Sequence, residues 1–388
     1  MLQPLRKVAV VTPGSFVIPS GRSSSVERVI EKMVPLAADR LDIRVYGKVS
    51  GETAAQERIG SVPCVRVPGG NAYLPSIIRH LHAWRPDAID VHNRPALACG
   101  IKRKLPQSFV YLSLHSTTFI GKGDNSVSRE SESLNGLDGI IVNSRYLRDE
   151  LQRRYPGLSL PVVVNHLGVR PEDFMPRWTP SGESLRRSRL AEFGWEGRRI
   201  ILFVGRLLPE KGVHELLKAV PSVIARIPEA LFLIVGSAYY SRDRDTAYVR
   251  GLRQMAASWR EHVVFQPFTP YPHVADWYNL ADVAIVPSGE DEAFGLVNVE
   301  AMASGVPVIA TCAGGIPEIV DNNVSGFLLS PGSVSEELPS AIINLLGQEH
   351  LQRTMGIAGL ETVRSRFRWQ HTADRWASFM LTGKPTTQ

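Results

Sequence analysis

The sequence predicts an α/β protein built from two consecutive doubly wound parallel-sheet domains. Three observations carry this. The chain has 388 residues, beyond the size at which a single core stops growing, so two domains are expected. Short apolar runs rich in β-branched residues alternate with helical patterns. Several of these runs lack strict polar alternation, as strands covered on both faces do. The alternation stops at a charged, Pro- and Gly-containing break over 170–199 and then restarts.

The first set of strands reads as "VAVVT" (8–12), "IRVYG" (43–47), "AIDVH" (88–92), "FVYLSLH" (109–115), "GIIVNS" (139–144) and "VVVNHLGV" (162–169). A Pro/Gly loop and an amphipathic helix near 24–38 follow the first strand. The later gaps are mostly long enough for crossover helices. The break carries one short helix. The second set reads as "IILFVG" (200–205), "ALFLIVG" (230–236), "HVVFQPF" (262–268), "VAIVPS" (283–288), "VPVIAT" (306–311) and "GFLLS" (326–330). The tail, 334–382, is nearly all helical in pattern and sets Trp369 and Trp376 seven residues apart on one face.

Composition narrows the function classes. Apolar residues make up 44% and charged residues 21%, as in ordinary soluble domains. A formal charge of +6 favours anionic partners. The basic residues form no long stripe interleaved with aromatics, so nucleic acid is not expected. Cys64, Cys99 and Cys312 are far apart, which suggests neither a disulfide framework nor a zinc site. The apolar run at the start is too short for a signal peptide, and no run approaches membrane-spanning length. A cytoplasmic protein is expected, with attachment to a membrane surface or spore surface left open.

In open parallel sheets, ligands bind beyond the carboxyl ends of the strands. Three stretches sit there. In "FVGRLLPEKGVHELL" (203–217) a strand ends at Gly205; Arg206 and Lys211 follow, and Gly212 precedes a helix. Two cations beside a helix N-terminus suit a diphosphate, although surface charges on a loop would look the same. In "LHSTT" (114–118) His115 ends a strand, where a catalytic and a structural histidine are about equally expected. In "EDEAFGLVNVEAMASG" (290–305) Glu292 falls in a loop and Glu300 inside the helix that follows. The amides of Phe294, Gly295 and Leu296 open that helix, and Gly295 lets a ligand come close. The two carboxylates suit sugar or ribose hydroxyls, or else a helix-start acid and a core ion pair. "DRD" (243–245) lies among polar residues and reads as solvated loop, so no metal site is expected.

Together, "PSGEDEAFGLVNVEAMASGVPVIATCAGGIPEIV", "GRLLPEKG", "VNHLGV" and the His-Ser after the fourth strand closely resemble the retaining glycosyltransferases of family GT4, which have the GT-B fold. "HNRP" (92–95) and "SSVERVI" (24–30) resemble the spore coat protein SA-like branch. The resemblance implies an acceptor-binding domain over 1–175 and a nucleotide-sugar-binding domain over 176–366, facing across a cleft. A final helix over 367–388 returns to the first domain. It also implies roles. Arg206 and Lys211 bind the donor diphosphate, with Gly21 and Gly205 beside it. Glu300 binds the ribose and Glu292 the transferred sugar. The amides of Phe294, Gly295 and Leu296 contact phosphate and sugar, and His115 lies near the anomeric centre. Transfer would run on one face of the sugar, with the leaving diphosphate assisting and no metal or other cofactor. The donor is expected to be a UDP-sugar and the acceptor a hydroxyl of a glycan, lipid carrier or small molecule.

One departure from the family pattern is "PSGRSSSVE" (19–27). It keeps Gly21 alone where many relatives carry a glycine pair, and this bears on the acceptor and on loop closure. Two alternatives remain at this stage. One is a nucleotide-sugar epimerase on the same fold; the other is a non-catalytic spore-coat or binding protein that kept it.

Overall fold

The computed structural model describes residues 4–19, 25–51, 54–121, 124–239 and 245–384; side chains of 124–129 are not described. The chain divides into two compact units. One comprises 1–167 with 369–388, the other 168–368.

Among the described residues the first unit holds an eight-stranded sheet. Its strands are β1 (Arg6–Val11), β2 (Leu41–Lys48), β3 (Gln56–Ile59), β4 (Val62–Val67), β5 (Ala88–His92), β6 (Phe109–Leu114), β7 (Gly139–Val142) and β8 (Val162–Val164). The order is β3-β4-β2-β1-β5-β6-β7-β8, parallel except where β3 pairs antiparallel with β4. The helices are α1 (Ser25–Met33), α2 (Tyr73–Trp84), α3 (Pro95–Lys104), α4 (Asp124–Asn135) and α5 (Arg145–Arg154). Central strands are apolar on both faces: Val8 to Val11 are fully buried, as a sheet sandwiched by helices requires. The β3–β4 hairpin was not expected from the sequence. Its "QERI" strand is mostly exposed and carries no apolar run. The expected strand over 162–169 stops at Val164, because Asn165 and His166 turn to side-chain and carbonyl contacts with Thr372 and Arg375.

The second unit holds, among its described residues, a parallel six-stranded sheet. Its strands are β9 (Arg199–Val204), β10 (Ala230–Val235), β11 (Val263–Gln266), β12 (Val283–Val286), β13 (Val308–Thr311) and β14 (Gly326–Leu329). Their order is β11-β10-β9-β12-β13-β14. The helices are α6 (Pro180–Phe193), α7 (Val213–Ile224), α8 (Ala247–Met255), α9 (Ala275–Leu280), α10 (Leu296–Ala303), α11 (Val334–Leu346) and α12 (Glu349–Arg366). Local chemistry sets several helix ends. The Thr179 hydroxyl accepts from the Gly182 amide at the start of α6, and Gly194 ends that helix with a φ of 67°. The start of α8 is capped in the same way by Thr246.

The last helix, α13 (Trp369–Thr382), belongs to the first unit. Ala373, Trp376, Ala377, Phe379 and Met380 join the core formed by β1, β2 and α1. Trp376 is 1% exposed; burying such a ring contributes about 3 kcal/mol. The segment leading to α13 runs beside the other crossing segment: the Val169 amide donates to the Phe367 carbonyl at 2.8 Å. Phe174 packs its ring against Tyr271 and Tyr278, which ties residues 168–174 to the second unit.

Candidate functional site

Each sheet has a point where the strand order reverses, and in such sheets the crevice beyond that point is where ligands bind. In the second unit it lies between β9 and β12, because β10 and β11 add on one side of β9 and β12 to β14 on the other. Arg206 and Lys211 follow β9; Glu292 follows β12. The sequence-predicted cations and the first of the two glutamates therefore come from the two strands that flank the reversal.

The loops there are tied by backbone bonds. Gly205 donates to Val235 at 3.0 Å, and Gly289 donates to the Glu210 carbonyl at 2.9 Å. The Gly315 amide donates to the Glu292 carbonyl at 2.8 Å. Gly314 has a φ of 56°, and a Cβ there would lie 2.0 Å from that same carbonyl oxygen. A side chain at 314 would displace the segment that carries Glu292.

The Lys211 Nζ lies 2.5 Å from Glu292 Oε2. Both side chains are mostly buried, 25% and 14% exposed. Burial pushes the Glu292 carboxyl up. The Lys211 ammonium, the Ser288 hydroxyl and the charge of Arg206 outweigh it and hold the group below the ordinary carboxylate range. Arg206, Lys211 and Glu292 thus form one electrostatic cluster.

Gly295 precedes α10 with a φ of 88°, which suits glycine. Leu296 is the first residue of α10, and Phe294 is buried with its ring edge-on to Phe367. Glu300 lies on α10 and is 2% exposed. Its Oε2 accepts a hydrogen bond from the Tyr278 hydroxyl at 2.8 Å. Gly21 lies outside the described residues, as do Asp243 and Arg244 of the "DRD" stretch; Asp245 pairs with Arg253. Among the described residues no group of three or more His, Cys, Asp or Glu could hold a metal ion.

In the first unit the strand order reverses between β1 and β5. His92 ends β5, and His115 follows the neighbouring β6. His92 Nδ1 and His115 Nε2 are 3.0 Å apart, and the rings lie within 10° of parallel. On its other side His92 Nε2 is 3.2 Å from Asp90 Oδ2. Asp90 is fully buried; it accepts from the Ser113 hydroxyl at 2.7 Å and from Trp376 Nε1 of α13 at 2.8 Å. Burial raises the Asp90 carboxyl, but the charge and hydrogen bond of His92, with Ser113 and Trp376, carry it below the ordinary range. Burial, reinforced by His92 and opposed by Asp90, pushes His115 down to about 3. His115 is therefore neutral at physiological pH. Its backbone is held as well: the amide donates to Asn93 Oδ1 at 2.8 Å, and its carbonyl accepts from Asn143 at 3.3 Å.

Sequence reasoning missed Asp90, His92, Tyr278 and Ser288. The signal for the first two was present in "AIDVH". Two polar residues at a spacing of two, in a run buried at every position, share one face and need partners there.

A family model described as "Glycosyl transferases group 1" matches residues 187–362, and one described as "Glycosyltransferase Family 4" matches 26–173. The chain is 35% identical over 346 residues to D-inositol 3-phosphate glycosyltransferase of Segniliparus rotundus, covering 86% of this chain and 74% of that one. The chain belongs to the family 4 glycosyltransferases. It is also 27% identical to spore coat protein SA of Bacillus subtilis over 96% of this chain and 98% of that one. Among solved structures, Anabaena HepE in complex with UDP-glucose superposes with a TM-score of 0.76 at 20% identity. That match covers 97% of this chain and 100% of that one, and it shows the fold. This glycosyltransferase has the GT-B fold and acts on a nucleotide sugar. Membership in the family sets aside the epimerase and non-catalytic alternatives. No helix among the described residues is long and apolar enough to cross a membrane.

Proposed function

We propose that this glycosyltransferase moves a sugar from a nucleoside diphosphate sugar to a hydroxyl acceptor with retention at the anomeric carbon. The observation that carries the reading is the cluster of Arg206, Lys211 and Glu292 at the reversal point of the second sheet. Two cations there offset the charge that develops on a departing diphosphate, which is where such a reaction needs stabilisation. Gly205 lets the backbone pass close to that anion. The amides of Phe294, Gly295 and Leu296 meet the phosphate and sugar at the start of α10.

Glu292 grips sugar hydroxyls, and Glu300, which accepts from the Tyr278 hydroxyl, grips the ribose. The Lys211–Glu292 pair must open far enough to share its ammonium with the donor. His115 stands near the anomeric centre, and the first unit supplies the acceptor site. The leaving diphosphate takes the acceptor proton, so neither a strong protein base nor a divalent metal is needed. A UDP-sugar is the donor to test first, as UDP-glucose is the ligand of a neighbour with this fold.

The test is release of nucleoside diphosphate from a panel of UDP-, GDP- and ADP-sugars without added metal. One donor class should be turned over, and its turnover should depend on Lys211. Turnover of none, or full release by Lys211→Ala, would overturn the reading.

A further inference from the structure

The proposed reaction makes no use of "HNRP", residues 92–95, where β5 ends. Asn93 is buried and has a φ of 51°, a left-handed backbone that a non-glycine residue takes up only where its surroundings hold it. Here they do. The Asn93 amide donates to the Ser113 carbonyl at 2.8 Å, and its Oδ1 accepts from the His115 amide at 2.8 Å. What the turn delivers is Arg94, just beyond the carboxyl end of β5.

Arg94 is half-buried, and its guanidinium is held in place. Nη2 donates to the Ser15 hydroxyl at 2.7 Å and Nη1 to the Asn93 carbonyl at 3.1 Å. The guanidinium carbon lies 4.8 Å from the centre of the Phe119 ring. Ser15 follows β1, Arg94 follows β5 and Phe119 follows β6. The strand order reverses between β1 and β5, so this cation stands at the crevice where a ligand of the first sheet is expected.

Its partners are all neutral. Three other cations of the first unit, Arg66, Lys102 and Arg154, have a carboxylate each, from Glu57, Asp138 and Glu150. Arg94 has none within ion-pair distance among the described residues. A guanidinium carries five N–H donors, and two of them are used here. The others, and the whole positive charge, are left for a ligand. A planar fork of this kind matches the oxygens of a phosphate or a carboxylate.

We infer that Arg94 is a specificity-determining residue, and that the hydroxyl acceptor carries an anionic group, a phosphate or a carboxylate, which Arg94 binds. The inference rests on the proposed function, in which the first unit supplies the acceptor site. An arginine that only tied loops together would gain most from a carboxylate at this spot. The fold gives it a serine hydroxyl, a carbonyl and a ring instead.

The experiment uses the full chain and the donor found by the nucleotide-release panel. Glucose, galactose and mannose are offered as acceptors, each as the free sugar, its 6-phosphate and its uronic acid. An anionic form should be used with a kcat/KM about 10- to 100-fold above that of its free sugar, the scale of a charged hydrogen bond. The phosphate and uronic acid arms tell the two anions apart. Arg94→Gln should close that gap by raising the acceptor KM of the anionic form, with donor KM held, and Arg94→Lys should keep part of it. A free sugar used as well as its anionic forms would overturn the inference. So would a gap that survives in Arg94→Gln, or a loss equal for neutral and anionic acceptors, which marks a structural role. A second arm needs no acceptor. NMR of the arginine Nε–H groups, with the Arg94 signal identified by its loss in Arg94→Gln, follows a titration with inorganic phosphate while UDP occupies the donor site. The Arg94 signal should shift; an unmoved signal sinks the anion site, whichever sugars speed release. If no nucleotide sugar is turned over, the proposed function fails, while the phosphate titration still decides whether Arg94 takes an anion.

Discussion

Lys211 Nζ sits 2.5 Å from Glu292 Oε2, so the cation proposed for the diphosphate and the carboxylate proposed for the sugar are partners of each other. Removing Lys211 therefore does two things. On the proposed roles it deletes a phosphate ligand, and it leaves a mostly buried carboxylate without its main counter-charge. Lys211→Ala should lower kcat/KM for nucleotide release about 100-fold, the scale of one lost charge-stabilising donor. Glu292→Gln should keep diphosphate binding and lose discrimination among donor sugars. Binding of free UDP by calorimetry and a sugar panel separate the two effects.

His115 gives the fold a dependence on acid. Its imidazole titrates near 3 in the folded state against 6.5 ordinarily, so the unfolded chain binds the extra proton in between. Stability is fully present above about 6.5 and declines as pH falls towards 3. Asp90, with its depressed carboxyl, adds loss of the same sign below the ordinary carboxylate range. Thermal unfolding followed from pH 7 to 4 should show a steeper decline for the wild type than for His115→Gln; parallel curves would contradict the assignment.

The Tyr278 hydroxyl is the visible hydrogen-bond donor to Glu300 Oε2. If Glu300 holds the ribose, Tyr278→Phe should raise donor KM about fivefold, equivalent to about 1 kcal/mol of a lost hydrogen bond, with kcat little changed. Steady-state kinetics at saturating acceptor measures this. A fall in kcat at constant KM would move Glu300 from ground-state binding to the chemistry.

Asp282 is a structural anchor of the second unit. It is fully buried and receives Arg177 and Arg186 at 2.7 Å each and the Ile200 amide at 2.7 Å. Burial takes the Arg177 guanidinium down to about 10 despite the carboxylate beside it. Asp282→Ala strands two largely desolvated cations and should cost about 3–5 kcal/mol. Chemical denaturation should show a lower midpoint at unchanged slope, with nucleotide-release activity per folded molecule retained.

Much of this was readable in the residues. The runs "VAVVT", "IILFVG" and "ALFLIVG" could only be strands of covered parallel sheets, and the break before Ile200 announced the second one. The placing of Arg206 and Lys211 after β9, and of Glu292 after β12, followed from reading strand ends. That these two strands flank the reversal did not, because spatial order is not written in chain order. Glu300 was read as a ribose ligand or the partner of a core cation, since nothing in "YNLAD" says that the Tyr278 hydroxyl reaches across to it. The Asp90–His92–His115 row was hidden for the same reason. Its members sit on β5 and just after the adjacent β6, and its support comes from Trp376, 286 residues away from Asp90 in the chain. Strand β3 failed for a different cause. An exposed edge strand buries too little to need an apolar pattern.

The membership of α13 in the first unit has a bearing on how this molecule is made. Strands β1 and β2 leave the ribosome well before Trp376, Phe379 and Met380, which fill the space beside them. The second unit lies wholly within the intervening sequence and can fold while it emerges. The unit begun before the other is thus completed after it. A nascent chain stalled before Trp369 should carry a finished second unit tethered to a first unit whose interior is still open.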